Sequence, residues 1–275
     1  MDPSAAEQAR EAGLRAKRSS TLDAAVRLGL VAFALVHLLI AWIAVQLALG
    51  SDTGSASGTG ALHQLAQQPF GQVLLWVVGA GFLALVVWQA IEAAVGHTRY
   101  DGLERLGKRV ASGFRIVFFG ALGVLSWTTA AGAGSGSAAS KETWTARLMS
   151  APAGRWLVAL VGAGIICYGI GLVTMAVRRS FTDRINRRGT SGGLGAATVL
   201  LGRAGYASKG VAAGLVGGLF AWAAWSYDAQ KAGGLDAALH TVLNQPYGPV
   251  MLTVIGLGIG CFGLFCLVWA RHPDE

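Results

Sequence analysis

Charge is scarce in this chain. Of its 275 residues only 13% are Asp, Glu, Lys or Arg, about half the share of a soluble domain. That shortage argues against a water-soluble globular fold. Cysteine is nearly missing as well. Cys167, Cys261 and Cys266 all lie inside apolar runs, so no disulfide framework is implied, and no zinc-type spacing with His exists. There is no H-E-x-x-H and no C-x-x-C. "GLGAATVLLG" near Leu194 has the glycines of a phosphate loop but not its lysine, and no strand precedes it. No cofactor and no metal is called for. Proline is sparse too, with six in all, and three of these fall in one recurring motif.

What is present is apolar. Hydrophobic residues make up 53% of the chain and glycines number 40. Long apolar runs rich in glycine indicate membrane helices. Six stretches are long enough to cross a bilayer: Ala25–Leu49, Val73–Val95, Val110–Ala131, Trp156–Val177, Gly205–Tyr227 and Pro249–Trp269. The net charge of +8 fits topology better than nucleic acid, because the basic residues sit between the spans. Only four of the 22 basic residues, Lys141, Arg147, Arg155 and Lys231, fall on the side opposite the rest. The positive-inside rule then places both termini in the cytoplasm of a bacterial cell, with the chain in its plasma membrane. The first span exceeds a signal-peptide core and has counterparts deeper in the chain, so it is read as a true span.

A motif P-x-G-x7-G-x-G occurs three times. The sets are Pro69/Gly71/Gly79/Gly81, Pro152/Gly154/Gly162/Gly164 and Pro246/Gly248/Gly256/Gly258. The proline suits the first turn of a span, where its missing N–H is no loss. The later glycines suit close backbone approach between membrane helices, where association cannot draw on the hydrophobic effect. Gly169, Gly171, Gly260 and Gly263 extend that surface, and Cys167 and Cys261, equivalent to Ala84, read as small packing residues. Arg27, Arg109 and Arg203 open the odd-numbered spans at matching distances before the prolines. "ALHQLAQQ", "WTARLMSA" and "ALHTVLNQ" precede the prolines and predict short amphipathic helices on the external surface. The organisation is therefore a basic tail, 1–24, and three helical hairpins, 25–97, 108–180 and 202–272. Three hairpins starting on the same side are parallel repeats, and a pseudo-threefold axis along the membrane normal is the natural way to pack them.

These features resemble an actinobacterial family of six-helix membrane proteins built from three copies of a two-helix domain of unknown function. The resemblance spans about residues 27–272 and rests on the basic residue before each odd span and on P-x-G with its glycines. It implies an all-α membrane fold and location, and no activity. The layout is also similar to mitochondrial carriers, but the acid of the carrier signature is replaced by glycine at Gly71, Gly154 and Gly248.

Few ionisable residues lie inside spans, where each is costly. Glu92 sits near the cytoplasmic end of the second span, with Arg115 and Lys209 at comparable depth in the third and fifth. Arg115 and Lys209 are repeat-equivalent, and Phe33 holds that place in the first repeat. The cluster reads as a structural Glu–Arg pair with a snorkelling lysine, or alternatively as an ion or proton site. His37, midway along the first span, reads as a packing histidine in preference to a proton relay or haem ligand. His63 and His240 share a repeat position in the surface segments, but two ligands are too few for a closed zinc site. Trp76, Trp156 and Trp269 suit an interfacial belt. Two function classes remain. The first is a non-enzymatic membrane scaffold or accessory subunit, in contact with the lipid bilayer and with an unidentified protein partner. The second is a small-solute or ion transporter along the threefold axis.

Overall fold

The computed structural model describes residues 20–51, 55–95, 102–132, 154–185, 192–228 and 231–272. The fold is all-helical. Its elements are α1 (Ser20–Ala48), α2 (Gly58–Ala66), α3 (Gly71–Val95), α4 (Gly102–Ala130), α5 (Gly154–Arg178), a short 3-10 turn (Ser180–Arg184), α6 (Gly192–Ser226), α7 (Leu235–Leu243) and α8 (Gly248–Arg271). Six of them carry segments long and apolar enough to cross a membrane: Ala24–Ala48, Gly71–Ala94, Ala111–Ala130, Gly154–Arg178, Gly195–Ser226 and Gly248–Arg271. The fifth starts ten residues earlier than the sequence reading had it. Arg203 does not end the helix, because the Ala, Val, Thr and Leu residues before it continue the helical run.

Of the short helices expected ahead of the prolines, two form. α2 and α7 are each nine residues long and occupy the same register ahead of Pro69 and Pro246. The corresponding segment of the second repeat, from Trp144, lies outside the described residues, as do Pro152 and most of the basic tail. Leu62 and Leu65 of α2, and Leu239 and Val242 of α7, are buried. His63 and His240 are not, so each helix turns its histidine away from its packed face.

The P-x-G motif has a different local role from the one expected. The spans α3 and α8 begin at Gly71 and Gly248, and the prolines lie in the turn before them. Gly71 N–H donates to the Gln68 carbonyl at 2.8 Å, and Gly248 N–H to that of Gln245 at 2.8 Å. Proline thus occupies the second position of a four-residue turn. Phe70 (φ 62°) and Tyr247 (φ 63°) occupy the third, in the left-handed region. That is the geometry of a type II turn, which favours proline and then a positive φ. The following glycine is required by contact. A Cβ on Gly71 would run into the carbonyl oxygen of Leu65, and one on Gly248 into that of Leu243. Gly71→Ala and Gly248→Ala should therefore each lower stability in detergent by upwards of about 1 kcal/mol. Phe70→Gly and Tyr247→Gly, which relieve the left-handed residue, should be tolerated. Thermal unfolding of the purified variants checks both halves.

Packing divides the chain into two compact units. The first holds the described residues up to Phe33 together with Leu65–Gly132. Its interior is built from Leu75, Phe82 and Leu85 of α3 with Phe119 of α4. Phe33 meets Phe119 edge-on at 5.4 Å, and Phe82 stacks on Phe119 at 6.3 Å. The second holds Ala34–Gln64 and the described residues after Gly132. Its interior is an aromatic cluster. Phe181 stacks on Tyr206 at 5.4 Å and meets Phe265 edge-on at 5.4 Å, and Tyr206 meets Phe262 edge-on at 5.1 Å. A Cβ on Gly202 would collide with the Phe181 ring, so that glycine admits the ring to the cluster.

The two inner glycines of each motif face different neighbours. Successive residues on a helix are 100° apart, so positions i and i+2 lie well apart around the axis. Gly79 packs against Trp127 of α4, Gly162 against Gly217 and Ala221 of α6, and Gly256 against Ala41, Ala44 and Val45 of α1. These partners are repeat-equivalent positions, each on the odd-numbered span of another repeat. Gly81 packs against Gly29 and Ala32 of α1, and Gly258 against Ser208 and Ala204 of α6. Those are spans of the same hairpin. Gly169 and Gly263 also make close contacts, with Gly210 and with Leu38. Gly164 and Gly171 depart from the expectation, for nothing among the described residues lies within 4 Å of a Cβ built on either. Cys167 is exposed, not packed. The cause is helical phase: Gly162 and Gly169 lie on the α6 side of α5, and residues 164, 167 and 171 lie on another side.

Candidate functional site

Two groups hold the ionisable side chains that the sequence places inside the spans. The first lies along the α3–α4 seam. Gly120 faces Val86 at 4.0 Å and Gly123 faces Phe82 at 3.4 Å. In this antiparallel pair residue 92 is therefore level with residue 114. Glu92 and Arg115 thus lie at the same depth, both half-buried. Gln89, one turn before Glu92, is fully buried, and so is Ser112, one turn before Arg115. The Gln89 Nε2–H donates to Ser112 Oγ at 3.0 Å. The Gln89 Oε1 is buried with no hydrogen-bond partner among the described residues. A buried carboxamide oxygen without a partner is costly.

Sequence reasoning found Glu92 and Arg115 but missed Gln89 and Ser112. Both are neutral, so neither stands out as an ionisable group within a span. A single glutamine inside an otherwise apolar run was the available signal, because an amide in hydrocarbon also needs a partner.

The second group surrounds Phe262. The Lys209 Nζ sits 3.8 Å from the centre of the Phe262 ring, a cation–π arrangement that offsets part of the cost of a half-buried ammonium. His37 is 7% exposed, with its ring 4.9 Å from that of Phe262 and tilted by 56°. Three spans meet here, since His37 is on α1, Lys209 on α6 and Phe262 on α8. The repeat position shared by Phe33, Arg115 and Lys209 is thus filled three ways: a core ring, a seam cation and a ring-stacked cation.

At the surface helices, Asp236 Oδ1 accepts a hydrogen bond from the Ala56 N–H at 2.7 Å, tying α7 to the segment before α2. The His240 Nε2 lies 4.0 Å from the same oxygen. No three His, Cys, Asp or Glu side chains among the described residues are grouped to hold a metal ion. Among the belt tryptophans, Trp76 and Trp156 are exposed at 53% and 64%, in keeping with contact with lipid headgroups, and Trp269 is half-buried.

The chain is 28% identical over 244 residues to the uncharacterized protein YxxB of Bacillus subtilis (strain 168), and the match covers 88% of each chain. No solved structure matches it. The family described as Domain of Unknown Function (DUF1206) matches at residues 28–96, 110–179 and 204–272. With six membrane-length helices arranged as three such repeats, this multi-pass membrane protein belongs to the DUF1206 family.

Proposed function

We propose that this protein is a non-enzymatic scaffold or accessory subunit of the bacterial plasma membrane, with both termini cytoplasmic and its hairpins arranged about a pseudo-threefold axis. The observation that carries the reading is the repeated glycine contact. In all three repeats the first inner glycine meets an odd-numbered span of another repeat too closely for a Cβ to fit without displacement. Contacts of that kind hold helices in fixed relation, as a platform for a partner protein requires, and their equivalence across repeats supports the threefold arrangement. The distribution of Arg and Lys between the spans supports the orientation. Lipid contacts the exposed apolar residues of the spans, such as Leu160, Val177 and Val254.

A second reading, an ion or solute transporter, is favoured by the α3–α4 seam, where a buried acceptor lies beside Glu92 and Arg115. Flux in proteoliposomes separates the two. As a scaffold, the reconstituted protein passes protons and monovalent cations no faster than empty vesicles, monitored by pH-sensitive and potential-sensitive dyes. Flux above that baseline which disappears in Glu92→Gln would overturn the scaffold reading and put transport in its place.

A further inference from the structure

The side chain of Gln89 is matched by the protein at one end only. It is fully buried. Its Nε2–H donates to Ser112 Oγ at 3.0 Å, and its Oε1 has no hydrogen-bond partner among the described residues. Turning the amide over does not remove the deficit, because one end of it is then still unpaired.

The partner has one direction to come from. Away from the α3–α4 connection the next residues of the seam are apolar. Leu85 and Phe82 precede Gln89 on α3, Phe119 and Leu122 follow on α4, and all four are buried. Phe82 stacks on Phe119 at 6.3 Å, and Phe33 meets the Phe119 ring edge-on at 5.4 Å. Toward the connection the seam is polar. The two helices run antiparallel with residue 86 level with residue 120, so depth falls in the order Gln89, Arg115, Glu92, Ser112. The Gln89 amide reaches Ser112 across that interval and so lies near the depth of Glu92 and Arg115. Gln89 and Glu92 are three residues apart on α3, as are Ser112 and Arg115 on α4, a spacing that puts each pair on one helix face.

The chemistry selects the occupant. Oε1 needs a donor. A metal ion or an ammonium would bring a charge to a depth where Glu92 and Arg115 already carry opposite charges, with no excess left to stabilise a buried ion. An apolar molecule has nothing to donate. Water donates twice and accepts twice. Donating to Gln89 Oε1 and to the Glu92 carboxylate, and accepting from the Arg115 guanidinium, gives the three bonds that a buried water ordinarily makes. We propose that the seam binds a water molecule on Gln89 Oε1, taken up past Glu92 and Arg115, and that the rings of Phe33, Phe82 and Phe119 keep the seam dry beyond it. In a scaffold this is a fixed structural water, and in a transporter it is the inner end of an aqueous inlet, so the site goes beyond the choice between them.

Radiolytic labelling in heavy-oxygen water tests the site. X-ray irradiation splits a bound water into a hydroxyl radical, which oxidises the side chains touching it even where bulk solvent does not reach. The full-length protein in lipid nanodiscs is irradiated with a scavenger in the bulk solvent, and mass spectrometry locates the heavy oxygen. Wild type should carry label within Val86–Glu92, while Phe82, Phe119 and the fully buried Phe265 of the second unit stay unlabelled. Gln89→Met keeps the bulk and drops the acceptor, so its label in that segment should be lost. An unlabelled segment in wild type, or label retained in Gln89→Met, would overturn the site. Label at Phe82 and Phe119 would overturn the dry closure. Label that falls when potassium chloride replaces a salt of a bulky organic cation would make a metal cation the occupant and overturn the water. The wild-type pattern decides by itself where Gln89→Met does not fold. Ion flux is read separately, so either flux result leaves this test intact.

Discussion

Gly162→Leu is expected to disrupt folding in detergent, and Gly164→Leu, two residues along the same helix, is expected not to. At Gly162 an added Cβ would lie 2.9 Å from the Ala221 backbone nitrogen and 2.9 Å from the Gly217 carbonyl oxygen. Those are main-chain atoms of α6 and cannot rotate aside, so α5 and α6 must separate to admit the side chain. Gly217 in turn meets the Gly162 carbonyl oxygen and Ile166, so separation loses contacts along both helices. Overpacking a tight interior costs about 1–3 kcal/mol and at times more. A leucine between two backbones belongs at or above the upper end of that range. At Gly164 nothing among the described residues lies within 4 Å, and a leucine there suits an apolar surround. Monodispersity on size exclusion and thermal unfolding would measure the contrast. Equal behaviour of the two variants would remove the packing meaning from the motif.

The second large effect concerns charge. Glu92→Gln alone removes a negative charge at the depth of the half-buried Arg115. Removing one member of a fully buried pair costs about 3–5 kcal/mol. Partial burial reduces that, and about 2 kcal/mol is expected here. Replacing both charges, in Glu92→Gln with Arg115→Gln, should recover most of the loss, because no charge then remains to be compensated. Unfolding midpoints of the two single variants and the double variant give the coupling directly. A double variant as unstable as the sum of the singles would show that Glu92 and Arg115 act independently.

The sequence made the spans legible because hydropathy needs no knowledge of neighbours. The repeat was legible because glycine and proline recur at fixed intervals, and α2 and α7 were found from the same register. Facing was a different matter. Gly79 and Gly81 look alike as letters, yet one meets Trp127 and the other Gly29. Which side of a helix finds a neighbour depends on tertiary packing, so Gly164, Gly171 and Cys167 could not be told from their counterparts. Pro69 and Pro246 were placed one turn too late, since a proline suits both a type II turn and a helix start. Gln89 escaped because a neutral amide leaves no mark on a charge count. Phe181 escaped because it lies beyond the apolar run, in a segment whose surplus of arginine spoke only of topology.

The length of α6 has a consequence for the bilayer itself. Its 35 residues rise about 52 Å, against a hydrocarbon thickness of about 30 Å. From Arg203 to Ser226 the helix suits that thickness with ordinary tilt. The turns before Arg203 do not fit inside, yet they carry Val199, Leu200 and Leu201, which gain nothing from water. This helix therefore reaches past the hydrocarbon with greasy residues still to cover. A thicker membrane can draw them in, and a thinner one leaves them stranded among headgroups. Membrane thickness thus bears directly on the energy of one helix, and the protein is expected to distribute between membranes of unequal depth accordingly.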